Sequence, residues 1–221
     1  MRNKIVTISF IVLVLMGCYG QQITTLPDPS FDGEVSLEKA LKQRRSRRNF
    51  EDKSMTIHQA GQLLWAAYGI SLQSRQFHTA PSAGATFPSE LYLIARDIEG
   101  LEAAIYHYKP KNHSLELIKK GDYSRQLQEI ALNQKTIIEA QCNIIIAADF
   151  DRTMDHYSER GRQYVYQESG HIGQNIYLQA EAIGLGTVAI GAFDENKIKE
   201  LIDSEFTPIY IFPIGNIADE K

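Results

Sequence analysis

Cysteine is nearly absent: Cys18 and Cys142 are the two in 221 residues. Two such residues build neither a disulfide framework nor a zinc site made of cysteine alone. Proline (7) and glycine (15) are too few for a collagen-like or proline-rich chain. Positive charge is not in excess: 23 Lys and Arg stand against 27 Asp and Glu, for a net charge of -4. That balance excludes a broad nucleic-acid-binding face. None of the 6 histidines falls in an H-E-x-x-H or equivalent zinc spacing, and no metal is expected. The apolar run from Ile5 to Met16, broken by Thr7 and Ser9, is too short to span a bilayer comfortably and suits the apolar core of a signal peptide.

What is present is ordinary globular composition, 43% hydrophobic and 23% charged. Arg2 and Lys4 precede the apolar run, and Leu15-Met16-Gly17-Cys18 follows it. This pattern resembles a bacterial lipobox. It predicts a signal peptide over residues 1–17, lipidation of Cys18, and a linker over residues 18–33; an ordinary secretory signal and a retained membrane anchor are the alternatives. A single domain would then occupy residues 34–221, outside the cytoplasm and tied to a membrane by its lipid. With Cys18 lipidated, Cys142 is the one thiol left and no intrachain disulfide forms. Cys142 opens the run CNIIIAA and reads as a buried small hydrophobe.

Helix and strand signals mingle along the chain. Ser36 can cap a helix over Leu37–Gln43, and Thr56 to Gln59 has capping-box spacing before a helix that Gly69 can end. Glu90–Ala95 reads as a strand, and Ala104–Tyr108 with Ser114–Ile118 as a hairpin. Tyr123–Asn133 reads as helix and Asn143–Ala148 as a strand buried on both faces. Gln163–Ile183 is a long helix, Thr187–Phe193 a strand, Glu195–Ile202 a short helix and Ile209–Ile214 a strand. The mixture predicts an α+β or α/β layer fold.

Four stretches can carry chemistry. KQRRSRRNF (Lys42–Phe50) packs five basic residues around Ser46 within an acidic chain. Such a run is either a solvated helix end or a phosphate site, where arginine forks and a hydroxyl suit the oxygens. APSAGATFPSE (Ala80–Glu90) has small residues that admit a ligand close to the backbone, and Gly84 permits a strained turn. Ser82 lacks the flanking glycines of a hydrolase nucleophile. In the long helix, Glu168 and His171 form a single E-x-x-H pair, too few ligands for a di-iron site. Gln167, His171 and Asn175 form a polar stripe that a subunit interface or a buried hydrogen-bond network would explain. GLGTVAIGAF (Gly184–Phe193) runs from helix to strand, the reverse of a dinucleotide-binding loop.

Taken in order, RRSRRNF, APSAGATFPSELYLI, the stretch from Glu159 to Phe193 and IYIFPIGN resemble the nitroreductase family of FMN-dependent oxidoreductases. Within it they look like the SagB-type dehydrogenases, some of which oxidise azolines in ribosomal peptides. The resemblance implies an α+β fold with a central mixed sheet between helices, a long interface helix, and an intertwined homodimer with FMN between subunits. By family pattern, Arg44, Ser46 and Arg48, with Arg45 beside them, would hold the phosphate and the polar edge of the ring. Pro81, Ser82, Ala83 and Gly84 would pass along the isoalloxazine, and Ile190 and Gly191 would pack near its N5. Many members add a basic pair near the carboxyl terminus. GNIADEK carries one Lys there, so the phosphate would rest on the first cluster, helped by Arg160 or Arg162. Azoline oxidation in the family uses a Lys-Tyr pair; the nearest segment here, Asp155-His156-Tyr157, has His in place of the Lys, which counts against azoline chemistry, and offers Tyr157 as a proton donor. The substrate would be a small molecule or a peptide. The alternative is a non-catalytic flavin-binding or structural lipoprotein that keeps the fold.

Overall fold

Backbone pairing in the computed structural model, which describes residues 22–218, follows the sequence pattern closely. The expected signal peptide, Cys18 and the final residues 219–221 lie outside the described residues. In chain order the elements begin with β1 (Ile23–Thr25), α1 (Leu37–Gln43), β2 (Met55–Thr56), α2 (Ile57–Tyr68), β3 (Ile70–Leu72) and β4 (Phe77–His78). They continue with β5 (Ser89–Ala95), β6 (Ile98–Glu99), β7 (Ala104–Lys109), β8 (Ser114–Lys120), α3 (Ser124–Ile130) and α4 (Lys135–Glu139). The last are β9 (Cys142–Ala148), α5 (Phe150–Tyr157), α6 (Gly161–Ala182), β10 (Leu185–Thr187), α7 (Glu195–Ile202) and β11 (Thr207–Asn216).

Both predicted caps form. Ser36 Oγ accepts the Lys39 N–H at 3.2 Å. The Thr56 and Gln59 side chains each accept the other's backbone N–H, at 3.2 and 3.0 Å. A cap of this kind stabilises a helix by about 1 kcal/mol.

The central sheet has seven strands in the order β1-β8-β7-β5-β9-β11-β10. Every pairing in it is antiparallel. The expected mixed sheet is therefore antiparallel throughout, and parallel pairing is confined to the two-residue β2–β6 ladder. β9 sits inside the sheet and all of its residues are buried, which accounts for its unbroken apolar run. One face packs on α2 and α6 through Leu63, Leu64, Ile172, Ile176, Ile144 and Phe212. The other packs on α3, α4 and α7 through Leu127, Ile137, Ile198, Leu201, Tyr92 and Ile145. Each fully buried Leu or Ile contributes about 1.5–3 kcal/mol, so these two layers hold the three-layer α+β stack together. Gly173 is what lets α6 lie on the sheet, since a Cβ there would stand 2.8 Å from the Phe212 ring.

Two expectations change. The stretch read as a linker contains β1, which pairs with β8 as the sheet's edge. The expected strand over Thr187–Phe193 is shorter and earlier: β10 ends at Thr187, and of the following residues Ile190 alone bridges to Ile211. The cause is that the Ala189 N–H turns away to the Tyr177 hydroxyl at 2.8 Å and leaves the ladder.

Candidate functional site

Two half-sites lie along α6. The first is the basic run after α1. Arg44 stacks its guanidinium 5.1 Å from the Tyr177 ring centre. Arg45 donates to the carbonyls of Lys42 and Arg44. Ser46 Oγ lies 3.0 Å from the Tyr177 hydroxyl. Arg47 instead pairs with Glu181 at 3.3 Å and gives its N–H to the Thr187 carbonyl, which fastens the run to α6 and β10. Arg45, Ser46 and Arg48 are exposed, and among the described residues no carboxylate neutralises Arg44, Arg45 or Arg48. Unneutralised guanidinium groups beside a hydroxyl suit phosphate oxygens.

Tyr177 joins this run to the other end of the sequence. Its hydroxyl accepts the Ala189 N–H and shares a hydrogen bond with the Ser46 hydroxyl. Ile190, next in the chain, is buried and exchanges both backbone bonds with Ile211 at 2.9 Å, while Gly191 is exposed beyond it. The predicted Arg44–Ser46 group and the predicted Ile190–Gly191 segment therefore meet through a tyrosine that the sequence reading did not single out.

The second half-site is the loop before β5. Gly84 takes φ +59°, and Ala85 and Phe87 follow at +52° and +47°. A left-handed conformation costs a non-glycine residue about 1–2 kcal/mol, so the loop stores strain that its contacts must hold. Those contacts are Phe87 N–H to Ser82 Oγ at 3.0 Å and the Thr86 hydroxyl with Thr153 at 2.8 Å. Pro81 and Gly84 are exposed, Ser82 and Ala83 half-buried. Tyr157, at the end of α5, lies directly against Gly84 and packs edge-on to Tyr164 at 4.9 Å. The structure thus brings the expected proton donor to the expected ring-lining loop.

Behind the loop sits Glu168, 3% exposed. It accepts from the Tyr68 hydroxyl at 2.7 Å and from the Ser89 hydroxyl at 2.8 Å. Burial raises its carboxyl above the usual range, against the lowering effect of Ser82, Tyr68, Ser89 and the charge of His171. Tyr68 is pushed far up by burial and then by the Glu168 charge. A glutamate on the core stripe of an amphipathic helix was the available signal for this group. His171, one turn on, is exposed where Glu168 is buried, and the described residues contain no cluster able to hold a metal. Gln167 is exposed with it, while Asn175 reaches the Thr79 carbonyl at 3.5 Å, so the polar stripe forms no buried network within the chain. Cys142 is fully buried and its thiol is pushed up to about 12, the inert hydrophobe expected.

Glu168 and Tyr177 are nine residues apart on α6, about 13 Å along its axis and half a turn out of phase. They flank the buried stripe from opposite edges, so the two half-sites of one chain face different directions. Arg160 and Arg162 do not join the first half-site. They lie at the start of α6, where Arg162 pairs with Glu159 at 3.2 Å and Arg160 stacks on Tyr164 at 5.7 Å. A cavity of about 1020 Å³ opens on the far side of the loop, lined by Tyr68, His78, Phe87, Ser89, Glu90 and Arg152 among others. No helix of the described residues is long and apolar enough to cross a membrane.

An antiparallel sheet between helical layers, with an exposed arginine run and a glycine-kinked loop on either side of one long helix, defines a three-layer α+β protein. The chain matches the nitroreductase family model over residues 41–216, and it belongs to that family. It is 41% identical over 182 residues to a Methanocaldococcus jannaschii protein assigned as a nitroreductase, MJ1384, covering 82% of this chain and 91% of that one. It is 21% identical over 206 residues to the microcin B17-processing protein McbC of Escherichia coli, covering 87% and 76%. Among solved structures, a nitroreductase-type protein of Ralstonia eutropha shares the fold with a TM-score of 0.78 at 24% identity, covering 90% of each chain.

Proposed function

We propose that the protein is an FMN-dependent oxidoreductase, acting as a pair of identical chains on a small-molecule or peptide substrate. The observation that carries this reading is the Ser46–Tyr177–Ala189 link, which gathers three unneutralised arginines and the segment before Ile190 at one place. The donor set fits the group: cations and a hydroxyl for a phosphate, then an exposed loop of small residues for a flat ring. When bound, FMN supplies a hydride-accepting ring nitrogen.

The chain's own residues do the rest. Arg44, Arg45 and Arg48 hold the phosphate, and Ser46, fixed by Tyr177, adds a hydrogen bond. Pro81 to Gly84 line the ring, and Ile190 and Gly191 close its other side. Tyr157 holds a proton at its hydroxyl beside that loop. Because the half-sites flank α6 on opposite edges, a second copy supplies the loop that faces the first copy's arginine run. The exposed face of α6, with Gln167 and His171, is the surface available for that contact.

The SagB-type branch is the finer reading. It is supported by the match to McbC and by a 36% match over 110 residues to the trifolitoxin-processing protein TfxB of Rhizobium leguminosarum, which covers 48% of this chain and 30% of that one. The lipobox-like Leu15–Cys18 supports export and a lipid tether. Nicotinamide donors are scarce outside the cytoplasm, so a membrane quinone or a partner protein would exchange the electrons.

The test is the visible spectrum of the purified protein, with the cofactor released by heat and identified. A yellow protein that yields about one FMN per chain and bleaches with a reductant supports the reading. A protein that carries no flavin and takes none up overturns it. A flavin that binds but never turns over favours the non-catalytic alternative. Fractionation of cells tests the address, and protein found in the cytosol alone rules out export.

A further inference from the structure

The cavity of about 1020 Å³ on the far side of the loop is formed within one chain, and none of its lining belongs to the groups assigned to FMN. Its polar groups divide into spent and free. Glu90 pairs with His107 Nε2 and Arg152 Nη1, each at 2.8 Å. Glu116 pairs with Lys109 at 2.6 Å. Both carboxylates are thus neutralised, and with Lys111 the lining carries three cations against these two. A cationic ligand is not favoured there. Tyr68 and Ser89 are buried in the cavity wall, and their hydroxyls give their single protons to Glu168, at 2.7 and 2.8 Å. Toward a ligand they have only lone pairs left.

His78 completes this pattern. Its Nδ1 lies 2.7 Å from the Tyr68 carbonyl, which can only accept, so Nδ1 carries the proton of the neutral ring. The ring is fixed between Tyr68 and Phe87, with ring centres 4.1 and 4.6 Å away. Burial lowers its pKa, against the opposing pull of the Tyr68 carbonyl, so the ring is neutral at neutral pH. Nε2 then holds a lone pair, and among the described residues no hydrogen bond reaches it. Phe87 gives the same cavity an aromatic wall, held by its N–H on Ser82 at 3.0 Å and its carbonyl on Arg152 at 3.1 Å. Phe206, 5.4 Å from the Arg152 guanidinium, adds a second ring.

We propose that this cavity is a binding site for an uncharged aromatic molecule that donates a phenolic O–H or a ring N–H to His78 Nε2. Phe87 and Phe206 take its apolar body. The inner wall offers acceptors, so it rejects a ligand whose polar end is a carbonyl, nitro or ether oxygen: lone pairs would face lone pairs, and both sides would stay unpaired. The site is distinct from the arginine run and from Pro81–Gly84, none of which lines it, and Phe87 joins it to that loop through Ser82. Occupancy of the cavity does not require FMN.

The experiment titrates p-cresol and indole into the full-length protein at neutral pH, beside p-cresol methyl ether and N-methylindole, which keep the rings but have no such proton to give. A cavity of this size does not exclude the added methyl group. Binding is read by calorimetry, and the His78 imidazole is followed by nitrogen NMR. Each donor is expected to bind about tenfold more tightly than its methylated counterpart, the worth of one hydrogen bond. It should also shift the Nε2 resonance to higher field and leave Nδ1 in place. His78→Phe keeps an aromatic ring between Tyr68 and Phe87 but has no lone pair. It should lower both donors to the level of their methylated counterparts and leave those unchanged. If that variant does not fold, the Nε2 resonance of the wild type decides alone. Tighter binding of p-cresol supports a phenolic ligand, and tighter binding of indole a ring N–H. Equal binding of donor and methylated counterpart, an Nε2 resonance unmoved at saturation, or no binding of either donor at millimolar concentration overturns the proposal. A protein that carries no flavin but gives the expected result overturns the FMN reading alone.

Discussion

Tyr157 stands over Gly84 so closely that a Cβ on the glycine would lie 2.7 Å from the tyrosine hydroxyl. Two constraints meet at this position, because Gly84 also takes φ +59°. Gly84→Ala is expected to lower stability by about 1–2 kcal/mol through the left-handed backbone alone, with a further loss from displacing Tyr157. In a Tyr157→Ala background the second loss disappears and the first remains. Denaturant melts of the two single variants and the double variant measure this, and strict additivity would show that the two residues do not bear on each other.

Tyr177 is the joint of the other half-site. Its hydroxyl receives the Ala189 N–H and meets Ser46. Tyr177→Phe leaves the ring against Phe212 and the Arg44 guanidinium in place, but strands a backbone N–H and frees Ser46. The expected costs are about 1–3 kcal/mol in stability and weaker FMN binding with the helical content unchanged. A variant that binds FMN as tightly as wild type would remove Tyr177 from the site.

Local signals made most of the fold legible. The caps at Ser36 and Thr56, the run of β9 and the length of α6 each follow from residues that act on their neighbours. Thr187–Phe193 misled because its β-forming composition is overridden by a tertiary contact: Tyr177 draws Ala189 off the sheet, an event no local pattern records. β1 was missed for a related reason. Its three residues gain strand structure from β8, more than 80 positions away, and a sequence window sees only a short polar segment with prolines after it. In the site, the arginine run and the Pro81–Gly84 loop were visible by composition. Tyr177 was not, and Glu168 showed only as half of an E-x-x-H pair, since their contacts arise from where α6 lies between the two.

The last prediction concerns acid. His113 ties the hairpin of β7 and β8 to the segment after β1: its Nε2 donates to the Pro27 carbonyl at 3.0 Å, and its Nδ1 receives the Tyr108 hydroxyl at 2.9 Å. This is a neutral imidazole, and burial lowers its pKa below 6.5, against the opposing pull of the Pro27 carbonyl and Asp28. His78, packed between Tyr68 and Phe87 with Nδ1 2.7 Å from the Tyr68 carbonyl, is lowered by burial in the same way. In the unfolded chain both take up a proton near pH 6.5, and in the folded chain only at lower pH. Unfolding therefore binds protons in that window, so stability is complete above about pH 6.5 and falls as pH drops toward the folded values. Glu168 works in the opposite sense. Its raised carboxyl destabilises the fold as pH climbs above 4.5, which partly masks the histidines. The slope should therefore stand out in Glu168→Gln, where denaturant melts between pH 7 and 5 are expected to lose stability by up to about 1.4 kcal/mol per pH unit for each histidine titrating. Adding His113→Gln should flatten part of that slope. An unchanged slope after that substitution would mean that His113 titrates equally in the folded and unfolded chains, and that its ring does not hold the β1 segment in the neutral form.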